Sequence, residues 1–226
     1  MKSLWIWILL LTAGLASAGA EQEKAPARVV IDEDRWVVFY DVPSRRFRSI
    51  RSNFIQRQFG AAALDLITSS THLAIEASRS TPAIGNRLGD VADELGEIAD
   101  DIESESITVA RLDALFGRAH WLLAQHYLAS ARKSRDKSNY RATGLYLWAT
   151  AHHLERAVLW NNARIDRKLH RTLESLRHMA TQMQDVKTAE STIREKPLLK
   201  AEALLVELGQ VIDRPIVMRL SEQTTR

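Results

Sequence analysis

Apolar residues recur every three or four positions in several stretches between residues 43 and 214, and this spacing restricts the fold more than any other feature. The clearest stretch alternates steps of three and four through Leu88, Val91, Leu95, Ile98 and Ile102. Side chains at such steps lie on one face of an α-helix, where they can pack against a neighbouring helix. The pattern predicts an all-α protein whose helices cover one another's apolar faces.

The breaks between these stretches predict a bundle of five or six helices with antiparallel neighbours, because the connections are short. A first long helix is expected to begin near Pro43 and to run to about Arg79, since proline favours the first helical turn. The later helices are expected at residues 83–105, 108–134 and 140–162, with a last helix opening at Pro197. The stretch from Leu169 to Met183 is either a new helix or a bent continuation of the one before it.

The N-terminal residues predict export. Lys2 precedes an uncharged run whose apolar core, Leu4 to Leu11, is followed by the small residues Ala16-Ser17-Ala18. This order is typical of a cleaved Sec-type signal peptide, and the apolar core is much shorter than the roughly 20 residues needed to span a bilayer. The chain has no cysteine to carry acyl groups, which excludes a lipoprotein. We therefore expect a periplasmic or secreted protein with no transmembrane segment after cleavage.

The segment that precedes the bundle has a different composition. Residues 29–42 are rich in β-branched and aromatic side chains around the acidic turn Asp32-Glu33-Asp34, which predicts a short extended or β-hairpin arm. Trp36 in this arm is either a clamp onto the bundle or an exposed anchor for another molecule. The predicted organisation is a signal peptide (1–18), a flexible lead-in (19–28), the arm (29–42), a helical-bundle domain (43–214) and a C-terminal tail (215–226).

The sequence carries no recognisable catalytic pattern. It lacks a glycine-rich nucleotide loop and a Gly-x-Ser-x-Gly elbow, and without cysteine it has no thiolate chemistry. His126 and His152 both lie on apolar stripes, and the two helices that carry them should form an antiparallel hairpin. The candidate ligand pocket in that hairpin comprises His126, Trp148, His152 and Glu155. The alternative is two separately satisfied core histidines, with Glu155 paired to a surface cation.

A second group of titratable residues has metal-ligand spacing. His170, Glu174 and His178 stand four apart, so they share one helix face and form a candidate site for a divalent metal. That face lies away from the apolar stripe through Leu169 and Leu173, which favours three solvated side chains instead. No other cofactor is indicated by the sequence.

Charge is unevenly distributed although its total is small. Loss of Lys2 with the signal lowers the formal net charge from +3 to +2, which indicates no nucleic-acid partner. Arginines nevertheless crowd the start of the first helix. The candidate interaction patch comprises Arg45, Arg46, Arg48, Arg51 and Trp36. It would meet an acidic protein or, more weakly, anionic lipid headgroups; the alternative is pairing with acids of the same chain.

These features predict an exported, non-catalytic helical-bundle protein of the bacterial cell envelope that acts by binding a protein partner or by self-association. The alternative is a periplasmic protein that binds a small ligand or a metal, with or without enzymatic activity. That protein would use a buried His/Glu pocket in the helical hairpin at residues 112–162.

Overall fold

The computed structural model describes Val37 and residues 40–104, 106–161, 165–184 and 196–212. Within these ranges the secondary structure is α-helical and contains no strand, which confirms the all-α bundle. The described residues form seven helices where the sequence predicted five or six: α1 (Val42–Ile55), α2 (Phe59–Arg79), α3 (Pro82–Asp100), α4 (Val109–Asp136), α5 (Tyr140–Trp160), α6 (Arg167–Gln184) and α7 (Lys196–Ile212).

One additional helix arises because the expected long first helix is broken. Arg57 adopts φ 58°, in the left-handed region, and the backbone N–H of Gln58 donates to the Asn53 carbonyl at 2.8 Å. This hydrogen bond closes α1, and α2 starts at the next residue, Phe59. A left-handed arginine is uncommon, and no glycine or proline marks the break. Helical periodicity therefore predicted one continuous helix where the structure has α1 and α2.

Polar caps separate the later helices. The side chain of Asn139 accepts a hydrogen bond from the Ala142 N–H at 3.1 Å, and Asp166 accepts one from the Leu169 N–H at 2.7 Å. Such caps satisfy the unpaired N–H groups of a helix start. The stretch from Leu169 to Met183 is thus part of a new helix, α6, rather than a continuation of α5.

The described end of the predicted arm turns into α1 instead of continuing as a strand. Val37 is buried in the core, and the Tyr40 N–H donates to the Val37 carbonyl at 3.1 Å in a tight turn. The rest of the arm before Tyr40, including Trp36, lies outside the described residues. So do the predicted signal peptide (1–18), the lead-in (19–28) and the tail (215–226).

The centre of the bundle is the hairpin of α4 and α5. Contacts between His120 and His153 and between Tyr127 and Tyr146 show that the two helices run antiparallel. α4 also packs against α1, α3 and α7, α5 against α6 and α7, and α2 lies between α1 and α3. One face of α4 is buried throughout: Leu112, Leu115, Phe116, Ala119, Leu122, Leu123 and His126.

Glycine allows α5 to approach α6 closely. A Cβ atom at Gly144 would overlap the Ala180 carbonyl oxygen on α6, whereas one at Gly89 on α3 would meet nothing within 4 Å. We expect Gly144→Ala to lower the free energy of unfolding by about 2 kcal/mol, because backbone must move to relieve the overlap. Gly89→Ala, the matched control, should raise it by up to about 1 kcal/mol through helix propensity. Urea unfolding measures both, and equal effects would contradict the close approach.

Candidate functional site

A buried carboxylate connects α2 to α4. The Glu76 side chain on α2 has no exposed surface, and the His126 Nε2 atom lies 3.0 Å from its Oε2. The Tyr127 hydroxyl donates to Oε1 at 3.0 Å, and the His72 Nε2 atom lies 3.7 Å from the same oxygen. A carboxylate removed from water needs polar neighbours; Tyr127 supplies a hydrogen bond, and the two imidazoles lie at ion-pair distance.

Two fully buried histidines form the second half of this polar region. The Nδ1 atoms of His120 on α4 and His153 on α5 lie 2.8 Å apart. Burial lowers the pKa of both imidazoles well below the usual value, and the charges of Arg156 and Arg48 lower that of His120 further. Between neutral rings, such a hydrogen bond requires one ring to be protonated at Nδ1 and the other at Nε2.

Tyr127 joins the two halves. Its hydroxyl binds Glu76, and its ring stacks on His153 with centroids 5.3 Å apart and planes 7° apart. Burial and the neighbouring Glu76 raise the pKa of Tyr127 well above its usual value, so the hydroxyl stays protonated and can donate. We call the following set the buried histidine network: His72, Glu76, His120, His126, Tyr127 and His153.

His152 lies beside this network and attaches α5 to the start of α1. Its Nε2 atom is 2.7 Å from the Ser44 hydroxyl and 3.2 Å from Oδ1 of Asp41. Burial lowers the pKa of His152 to about 4, although the Asp41 carboxylate opposes the shift. The ring is therefore neutral at neutral pH, so the hydrogen bond with Ser44 rather than an ion pair with Asp41 holds His152 at the start of α1.

The four residues of the predicted pocket have separate polar partners. His126 belongs to the buried histidine network, where its Nδ1 atom also lies 2.6 Å from the Ser80 hydroxyl. Glu155 accepts a hydrogen bond from Arg177 at 2.6 Å, the kind of pairing that the alternative interpretation predicted. No hydrogen bond or ion pair among the described residues joins one member of the predicted pocket to another.

Two of those four residues do share a neighbour, Tyr40. The Trp148 indole donates to the Tyr40 hydroxyl at 3.0 Å, and the His152 ring meets the Tyr40 ring edge to face with centroids 5.0 Å apart. Tyr40 lies in the turn before α1, so a segment outside the α4–α5 hairpin contributes to this site. The hairpin register could not reveal that contribution.

The histidine pair itself was missed, although a signal for it existed. A hairpin that turns near Lys137 brings residue 120 to the level of residues 153 and 154 on the other helix. Glu76 had no comparable signal, because it lies on α2 and nothing in the sequence gives the register of α2 against α4.

The predicted metal ligands lie on the solvent side of α6. His170, Glu174 and His178 are all exposed, and Glu174 accepts a hydrogen bond from Arg177 at 2.6 Å. Across the part of the chain that the structure describes, no three histidine, aspartate or glutamate side chains are placed to hold a metal ion. The geometry favours the solvated interpretation of this face.

The arginines of the predicted interaction patch divide into two pairs. Arg45 and Arg46 lie at the surface, 3.6 Å from Asp41 and 2.5 Å from Asp65 respectively. Both acids belong to the same chain, the kind of pairing that the alternative interpretation predicted for these two arginines. Exposed ion pairs of this kind contribute little to stability.

The second pair, Arg48 and Arg51, lines a cleft with a volume of about 480 Å³. Arg51 donates to Asp113 on α4 at 2.9 Å, and Arg156 on α5 lies at the same cleft. Arg48 makes no ion pair with any described residue. The complete lining is Ser44, Arg48, Arg51, Ser52, Ile55, Gln56, Asp113, Arg156, Leu159 and Trp160.

The outer face of α2 is a third unusual surface. Every exposed residue of this helix is uncharged: Gly60, Ala61, Leu64, Ile67, Thr71, Ala74, Ile75 and Ser78. The side chains of Leu64 and Ile67 are 67% and 51% exposed. The outer face of α3 shows the ordinary pattern of a surface helix, with Asp90, Asp93, Glu97 and Asp100 exposed.

Comparison with other proteins gives no match: no family model, no characterised protein and no solved structure is significantly similar to the chain. None of the seven described helices is both long enough and apolar enough to cross a bilayer.

Proposed function

We propose that this protein is an exported, non-catalytic component of the bacterial cell envelope that acts by self-association through the outer face of α2. The observation that carries the proposal is the absence of charge from that face, here called the α2 face and defined by its eight exposed residues. An uncharged helix face with several exposed apolar side chains favours an interaction site, because water solvates apolar side chains poorly.

The small side chains of the α2 face favour another helix as its occupant. Gly60, Ala61, Ala74 and Ser78 allow a second backbone to approach, while Leu64, Ile67 and Ile75 supply apolar area. Helices that lie on a membrane surface usually carry lysine or arginine along the polar border. The only basic residues of α2 are His72, which is half-buried, and Arg79 at its last position. A protein partner therefore fits this face better than lipid.

A second copy of the chain is the simplest such partner. An uncharged face presents no like-charge repulsion to its own copy, so two α2 helices can pack about a two-fold axis. The non-catalytic part of the proposal is supported by the buried histidine network, where Glu76, His120 and His153 have no exposed surface for a substrate to reach. These side chains serve packing and hydrogen bonding.

The α2 face can be tested by placing a charge in it. Leu64→Asp should convert a dimeric mature protein into a monomer, because burying the carboxylate in the interface would be unfavourable. Folding should be unaffected, since the Leu64 side chain is largely exposed. Sedimentation velocity across a range of protein concentrations measures the mass of the species present.

The matched control is Leu199→Asp on α7, where the leucine is 61% exposed. This variant should remain dimeric. A wild-type protein that stays monomeric at every concentration would overturn self-association, and so would equal dissociation by both variants. A heterologous complex that Leu64→Asp abolishes would replace the second copy with a different protein on the same face.

A further inference from the structure

The cleft between α1 and α5 carries an excess of positive charge that the rest of the described structure does not balance. Three arginines line it, namely Arg48, Arg51 and Arg156, against the single carboxylate of Asp113. The Asp113 carboxylate is nearly buried and is bound by Arg51 at 2.9 Å. Two guanidinium groups therefore remain without a described carboxylate partner.

Arg156 is the more informative of these two groups. Its Nε atom is buried and has no hydrogen-bond partner among the described residues. A buried, charge-bearing N–H group without an acceptor is unfavourable by more than an ordinary unmade hydrogen bond. The charges of Arg48 and Arg156 both lower the pKa of His120, which indicates that the two guanidinium groups lie near the same imidazole. An anion between the two arginines would offset the charge of both guanidinium groups.

The other residues that line the cleft indicate that the anionic group belongs to a larger molecule with an apolar part. Ile55 and Leu159 are 54% and 45% exposed at the cleft, and Trp160 stands beside them with its ring edge-on to Phe116 at 5.1 Å. Sites for organic molecules combine such apolar walls with a few convergent polar groups, and their volumes span about 300–1,000 Å³. The observed volume of about 480 Å³ falls within that range.

We propose that this cleft binds an amphiphilic organic anion whose carboxylate or phosphate head group is held by Arg48 and Arg156. The planar guanidinium fork suits the oxygen atoms of either group. The apolar body of the ligand packs against Ile55, Leu159 and Trp160. Ser44, Ser52 and Gln56 line the same cleft and offer further polar groups around the head group. This site is distinct from the α2 face and does not depend on self-association.

The test uses four probes of the full mature protein in isothermal titration calorimetry at neutral pH and low salt: monooctyl phosphate, octanoate, inorganic phosphate and octanol. We expect one site per chain for at least one of the two amphiphilic anions. Octanol should bind at least about tenfold more weakly, because it lacks the charge-assisted hydrogen bonds. Inorganic phosphate should also bind more weakly, since it leaves the apolar wall uncovered; equal binding would indicate a site for the free ion.

Two variants neutralise the head-group site while retaining much of the side-chain length, R48M and R156M. Each should weaken binding of the anionic probe by about tenfold or more. R45M is the matched control on α1, because Arg45 is exposed and does not line the cleft; its affinity should be unchanged. Arg48 is itself exposed, so R48M tests the site even if R156M fails to fold.

Three results would overturn the proposal. They are octanol binding as tightly as the anions, equal loss of affinity in R45M and R48M, and no binding of either amphiphilic anion. Retained affinity in a folded R156M variant with lost affinity in R48M would overturn the role of Arg156 in holding the head group.

Discussion

The protein should lose stability steeply as the pH falls below about 6.5, because the buried histidines must stay neutral in the folded state. The pKa of His120 and of His153 is well below the usual value through burial. In the unfolded chain both rings titrate near pH 6.5. Below that pH the unfolded state binds more protons than the folded state, so protonation favours unfolding. Their contribution is complete above pH 6.5 and is lost on the way down to the folded pKa values.

The expected slope follows from the number of protons. Well below pH 6.5, where both rings are protonated in the unfolded chain, each ring should lower the free energy of unfolding by about 1.4 kcal/mol per pH unit. Between pH 7.5 and 5.5 the unfolded rings are only partly protonated, so each lowers the free energy of unfolding by about 1.4 kcal/mol over the whole interval, and the two together by about 2.7 kcal/mol. The pKa of His152 is also lowered, to about 4, and that of His72 is lowered as well, so both steepen the dependence. Most carboxylates titrate at lower pH, which leaves the interval from pH 7.5 to 5.5 largely to histidine.

Urea unfolding at several pH values in that interval measures the slope. Each of the variants His120→Gln and His153→Gln should reduce the loss of stability between pH 7.5 and 5.5 by about 1.4 kcal/mol, whatever it does to stability at pH 7.5. His178→Gln is the matched control, because His178 is exposed on α6. A slope that is identical in the wild type, His120→Gln and His153→Gln would show that these rings do not remain neutral in the folded protein.

The apolar helix faces could be predicted because a buried face requires an apolar residue every three or four positions. The α3 seam is an example, since Leu88, Val91, Leu95 and Ile98 are all buried. The break between α1 and α2 left no such mark. It depends on the left-handed backbone conformation of Arg57. A glycine at position 57 would have indicated that conformation, but an arginine does not.

Only the contacts within the α4–α5 hairpin could be predicted from the sequence. The register of α4 against α5 follows from a short turn, so it brings residues such as His120 and His153 together. The groups that bind His126 and His152 come instead from α2 and from the start of α1. Packing of helices distant in sequence places Glu76 and Asp41 there, and periodicity does not specify which residues of two such helices meet.

Glu76→Ala should therefore be among the most damaging single substitutions in the bundle. The change removes a buried carboxylate, leaves the Tyr127 hydroxyl without an acceptor at this position and takes away the side chain that His126 contacts at 3.0 Å. A buried donor left without its acceptor, together with the cavity left by the side chain, typically lowers the free energy of unfolding by about 3–5 kcal/mol. Glu76→Gln should be milder, because the amide oxygen can still accept from Tyr127 while the shape is retained.

Chemical denaturation at pH 7.5 measures these differences, with Glu207→Ala as the matched control. Glu207 also joins two helices, through Lys168 at 3.0 Å, but both side chains are exposed. Loss of an exposed pair should change stability by less than about 1 kcal/mol. A similar effect of Glu76→Ala and Glu207→Ala would mean that water reaches Glu76 in solution. A large effect confined to Glu76 would establish the buried carboxylate as the group that holds α2 against α4.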